Sequence, residues 1–183
     1  MTNKSEASRN LFKSGANCAQ AVLGAYAEEC GLTHEQAMKM ASSFGAGMGR
    51  LREVCGAVSG MFMVIGLLQG YSDIKSKSDK DRHYALIQKL AAEFKSKTGS
   101  IICRELLGLS KGTDSPVSEE RTAEYYKKRP CVDCVILSTF IIDAYLVSLN
   151  ADGRADIAAI HQSGRNAVCP ASSRLKRTTT NSL

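Results

Sequence analysis

Apolar and polar residues along this chain recur mostly at helical spacing, and two stretches are apolar nearly all round. Residues 4–15 form a short amphipathic segment closed by Gly15. Asn17 then offers an N-cap for a helix predicted through Cys30, with Gly31 as its stop. Thr33 with Gln36 three residues on has the capping-box spacing, and Ala37, Met38, Met40 and Ala41 carry that helix to about Ser43. Residues 44–50 follow as a glycine-rich loop. Residues 54–69 are apolar on every face, which marks a buried central helix.

Residues 79–98 predict an amphipathic helix with Tyr84, Ile87, Leu90, Ala91 and Phe94 as its stripe. A short helix is expected near 103–107, a weak one over 119–128, and a strongly apolar one over 131–149 after the break at Arg129-Pro130. No set of alternating strands competes with these helices, so the expected fold is all-α: a compact multi-helix bundle with a glycine-rich loop before a buried central helix. The apolar runs 54–68 and 135–149 fall short of the roughly 20 residues a membrane span needs, and Asp143 interrupts the second. Both are expected to be core helices, with no membrane span.

Composition narrows the class. Charged residues are 23% and hydrophobic ones 44% of the 183 residues, ordinary values for a globular protein, and the length predicts one domain over residues 1–150. Residues 151–183 change character, being rich in Ala, Ser, Arg and Thr, and read as an extension or tail to which no chemistry is assigned, Cys169 included. That tail holds five Lys/Arg against two Asp/Glu, half of the net charge of +6. The remaining excess is spread thinly, so no nucleic-acid partner is expected. A polar start without a signal-like apolar run points to the cytoplasm.

Seven cysteines are many for a cytoplasmic chain, where structural disulfides are uncommon and clustered thiols point to metal or redox work. Cys18, Cys55, Cys103 and Cys131 all fall at predicted helix starts, where the positive end of the helix favours thiolate. Cys134 completes a Cys-x-x-Cys with Cys131 and is a candidate resolving or ligating thiol, although Asp133 between them works against its ionisation. Cys30 is expected at a helix C-terminus and reads as packing. The glycines of residues 44–49 lack the context of a nucleotide loop and predict a tight turn instead. Gly56 and Gly60 put two bare positions on one helix face, where a neighbouring helix or a bound cofactor could approach the backbone. His34, His83 and His161 have no ligand partner at useful spacing; Arg50, Arg52 and Arg104 could stabilise thiolates or a net-negative cluster, with solvated surface arginine as the default reading.

Cys55-Gly56-Ala57-Val58-Ser59-Gly60 matches a Cys-Gly-Ala-x-x-Gly motif, and the contexts of Cys18, Cys103 and Cys131 follow in order around it. Over roughly residues 10–149 the chain thereby resembles the C_GCAxxG_C_C family of redox-active proteins. The resemblance implies Cys18, Cys55, Cys103 and Cys131 as signature cysteines. Cys30 and Cys134 are additions to the pattern.

Two functions remain open from sequence. The first is a redox-active protein, an oxidoreductase or electron carrier with a redox partner not identifiable from sequence. Its thiolates Cys18, Cys55, Cys103 and Cys131 would hold an iron–sulfur cluster or zinc, or cycle between dithiol and disulfide. The second is a helical scaffold or small-molecule binding module with cysteines as core filler. A homo-oligomer is compatible with either, through the glycine face of the central helix.

Overall fold

The computed structural model describes residues 2–110 and 114–151, so the tail and Cys169 lie outside the described residues. Its elements are helices α1 (Asn3–Lys13), α2 (Cys18–Ala25), α3 (His34–Ala41), a 3-10 turn (Ser42–Phe44), α4 (Gly45–Met48), α5 (Gly56–Gln69), α6 (Lys77–Thr98), α7 (Cys103–Leu106), α8 (Ala123–Lys128) and α9 (Cys131–Ala151). The fold is all-α, and among the described residues the extended pairing is a single antiparallel bridge, Val54 with Ile102.

Local chemistry sets the helix starts. Asn17 and Gln20 form a reciprocal capping box at α2, and Thr33 and Gln36 do so at α3, each satisfying two otherwise orphaned N–H groups. α2 ends at Ala25, earlier than its apolar pattern predicts. Residues 26–31 continue as turns, and Gly31 closes them at φ +69°. The reason is tertiary: Tyr26 is buried, and its hydroxyl donates to the Thr139 carbonyl at 3.0 Å and to Asp143 Oδ1 at 2.6 Å on α9.

The core lies where α2, α5 and α9 meet, with α1 packed across α2 and α9. Val22, Leu23, Val58, Met61, Val64, Ile65, Ile141 and Ile142 are all buried there. α5 is central because it is apolar throughout, and its two bare positions seat it on α2. A Cβ at Gly60 would stand 2.9 Å from the Ala19 carbonyl oxygen and 2.9 Å from Val22 Cβ. A Cβ at Gly56 would stand 2.8 Å from the Phe44 carbonyl oxygen. The neighbour that approaches Gly56 and Gly60 is thus α2.

α9 extends two residues beyond the predicted 131–149, but its apolar stretch is longer than the 135–149 run read from sequence: Cys131–Asn150, 20 residues at mean hydropathy 1.9, is long and apolar enough to cross a membrane by length and composition alone. A third of that stretch is buried against the other helices, and Asp143 within it is tied to Tyr26. The stripe predicted for α6 holds at Leu90 and Phe94, which are buried. Tyr84 instead is exposed and meets the Tyr71 ring edge-on.

Candidate thiol site

Five cysteines reach one small cavity of about 50 Å³: Cys18, Cys55, Cys103, Cys131 and Cys134. Each arrives on a helix start or the first turn beyond it. Cys55 is the N-cap of α5, while Cys18, Cys103 and Cys131 are the first residues of α2, α7 and α9. Cys134 lies one turn into α9, so its side chain falls on the same face as Cys131. Gly56 also lines the cavity, whereas Cys30 lies outside it. All six described cysteines are free thiols.

Two backbone devices bring distant segments together. Around the Val54–Ile102 bridge, Cys55 N–H donates to the Ile101 carbonyl at 2.8 Å and Cys103 N–H to the Glu53 carbonyl at 2.6 Å. These bonds clamp the start of α7 beside the start of α5. The second device is the glycine-rich loop, which is left-handed: Ala46, Gly47, Met48, Gly49, Arg50 and Arg52 all have φ between 52° and 72°. For the four that are not glycine this conformation costs about 1–2 kcal/mol each, so surrounding contacts must hold it. Gly47 has no alternative, because a Cβ there would lie 2.6 Å from Cys103 Cβ.

The loop's product is Arg52, buried at the cavity wall. Its Nη1 lies 3.9 Å from Cys103 Sγ, and its Nε donates to Asp114 Oδ2 at 2.8 Å. Burial works against the charged guanidinium, but the Asp114 hydrogen bond and the Cys103 contact outweigh it and raise the Arg52 pKa. The same bond holds the Asp114 carboxyl below its usual range.

The thiols are organised as pairs. The hydrogen bond from Cys18 lowers Cys131 to about 7 against the opposing effect of burial, with Arg129, Arg121 and Arg52 adding to the fall. Cys18, as the proton-holding partner, is raised well above its usual value by that bond and by burial. In the second pair the hydrogen bond from Cys134 lowers Cys55 against burial, with the Ala57 and Val58 N–H groups at the α5 start helping. Cys134 is raised by the same bond and by burial, and Asp133 contributes in the same direction. Cys103 stands apart from both pairs, pushed up to about 11 by burial despite Arg52. Cys30 is pushed up to about 12 by burial.

The helix end favours thiolate at all four signature cysteines, yet the net shift is downward at Cys55 and Cys131 and upward at Cys18 and Cys103. Burial opposes charge on all four, and within a hydrogen-bonded pair one thiol must keep the proton. Sequence reasoning placed Cys134 beside Cys131, where it lies, and the thiol that shifts it most is Cys55. It also passed over Arg121, Arg129 and Tyr125, which line the cavity. Arg129 was visible only as half of a helix-breaking dipeptide.

A four-thiolate metal centre needs its sulfurs gathered around one point. Among the described residues no group of three or more His, Cys, Asp or Glu is arranged to hold a metal ion. What the arrangement can do as it stands is deprotonate one thiol of a pair while its neighbour holds a proton.

The helices and the cavity define a class, a cysteine-rich all-α domain whose thiols share one pocket. Within it, this chain belongs to the family described as putative redox-active protein (C_GCAxxG_C_C), which it matches over residues 16–144. No curated protein and no solved structure matches the chain.

Proposed function

We propose that the protein is a thiol oxidoreductase that cycles Cys18 and Cys131 between dithiol and disulfide, with Cys131 as the attacking thiolate and Cys18 as the resolving thiol. The observation that carries this reading is the meeting of Cys18 and Cys131 in one cavity at the starts of α2 and α9; there the Cys18 thiol lowers Cys131 to about 7 and itself keeps its proton. An attacking thiol with a pKa near ambient pH combines a large thiolate fraction with high nucleophilicity.

The chemistry balances as two exchanges. The Cys131 thiolate attacks one sulfur of a substrate disulfide, forming a mixed disulfide and expelling the other half as a thiolate. That leaving thiolate takes up a proton. Cys18 then gives up its own proton and attacks Cys131 Sγ, which releases the second half of the substrate. Two electrons pass from the cysteine pair to the substrate, and an external dithiol must return them. Cys55 and Cys134, paired in the same way in the same cavity, form a second dithiol that can exchange with the first through Cys131 and Cys134 on neighbouring turns of α9.

The test is reduction of a small disulfide by anaerobically purified protein, with its iron, zinc and sulfide contents measured on the same sample. Cys131→Ser is expected to abolish the reduction, and Cys18→Ser to stall it at the mixed disulfide, detectable by mass. Stoichiometric metal that is lost in Cys55→Ser, together with no turnover in the wild type, would favour a metal centre built from Cys18, Cys55, Cys103 and Cys131.

A further inference from the structure

Above the thiol cavity, and sharing part of its wall, lies an open cleft of about 180 Å³. Arg50, Arg52, Arg121 and Arg129 all line it. Asn17, Ala46 and Tyr125 line both cleft and cavity, as do three of those arginines, so the cleft is the antechamber of the thiols.

The charges here do not cancel. Arg50 and Arg52 pair with Asp114 and more loosely with Glu119, and Arg129 pairs with Glu119. Four guanidiniums are thus served by two carboxylates. Arg121 has no carboxylate among the described residues. It donates to the Phe12 and Ala16 carbonyls, each at 3.3 Å, and its guanidinium lies over the Phe12 and Tyr125 rings at 4.7 Å and 5.2 Å. These contacts fix the planar head in place and leave its charge uncompensated. Half-buried and held by these contacts, such a group is set to receive a carboxylate or phosphate in fork geometry.

We propose that this cleft binds the anionic group of a small acidic disulfide or thiol and so presents its sulfur to Cys131. The proposal rests on the thiol-exchange reading above and adds the substrate class. Size favours a small molecule: the cleft takes an anionic head, while the 50 Å³ cavity beyond it admits only a few atoms beside the thiols. Arg121 is the docking residue, Arg129 and Arg50 form the rest of the cationic wall, and Tyr125 is its apolar floor.

The experiment compares second-order rates of Cys131 modification, located by peptide mapping, with three disulfides: dianionic dithiobis(nitrobenzoate), neutral dithiodipyridine and cationic cystamine. The ratio of anionic to neutral rate is the readout, because removing an arginine also makes Cys131 a poorer thiolate and slows every probe alike. Arg121→Gln is expected to lower that ratio about tenfold and Arg121→Lys to restore most of it, while added salt erodes the wild-type ratio. Ser118→Glu, on the exposed cleft rim, adds a negative charge without removing a contact. It is expected to lower the ratio and speed cystamine, and it keeps the test alive if Arg121→Gln does not fold. A ratio unmoved by both variants and by salt overturns anion docking even though Cys131 reacts. A Cys131 no faster than Cys30 with all three probes overturns the exchange reading itself, and docking with it.

Discussion

At the scale of single residues the account turns on where one proton sits. Cys131 at about 7 and Cys103 at about 11 begin helices alike, so the helix end does not separate them. The Cys18 thiol does, together with Arg129 and Arg121. Alkylation of the reduced protein at pH 7 should therefore label Cys131 first, with Cys103 and Cys30 slow. Equal rates for the three would contradict the pairing. Stability follows the same shifts. The unfolded chain keeps the Cys131 proton up to about 9, so between pH 7 and 9 it binds more protons than the folded chain at this group, and Cys131 adds stability as pH rises through that window. Cys103 and Cys30, raised in the fold, hold stability that is intact below about 9 and is lost as pH climbs toward 11 and 12. Chemical denaturation of reduced protein should show a rise from pH 7 to 9 that Cys131→Ser flattens, then a fall beyond. The sequence made the four signature cysteines legible because helix starts are marked by caps and glycines. It could not reveal which thiol of each pair ionises, since that depends on contacts between segments more than 70 residues apart in sequence, such as Cys18 and Cys131.

At the scale of elements, glycine decides how α5 sits. Gly60→Ala forces a methyl against the Ala19 carbonyl and Val22 and should cost about 1–3 kcal/mol, read as a lowered thermal midpoint. Gly66, in the same helix, has open space at its Cβ position, so Gly66→Ala should be neutral or stabilising by up to about 1 kcal/mol through helix propensity. If the two variants behave alike, close packing of α5 on α2 is not what Gly60 provides. Helix identities were legible from periodicity and capping boxes, whereas the early end of α2 and the left-handed loop were not. The first is set by Tyr26 reaching across to α9. The second is set by Arg52 and Gly47 closing against Cys103 and Asp114, a long-range contact that overrides the conformational preferences of Ala46 and Met48.

At the scale of the whole molecule, α9 joins structure to chemistry. Its first turn carries Cys131 and Cys134, and its middle is tied to the α2 region by the Tyr26–Asp143 bond. Tyr26→Phe leaves Asp143 without that donor and should destabilise the fold by about 1–3 kcal/mol in a denaturant melt. No change would mean that the bond does not anchor α9. The bundle was legible from the sequence as a class, and the common cavity was foreshadowed by four cysteines at four helix starts. The arginine wall was not foreseen as a unit, because its members come from the left-handed loop, from residues before α8 and from the turn before α9. The central claim is that Cys18 and Cys131 are a redox pair. Equilibrating metal-free protein anaerobically in thiol–disulfide buffers of graded potential, and mapping the linked peptides, tests it most directly. The predicted result is a two-electron transition in which Cys18 becomes linked to Cys131. Seven thiols that stay reduced across the range, or a first disulfide that leaves Cys131 free, would contradict it.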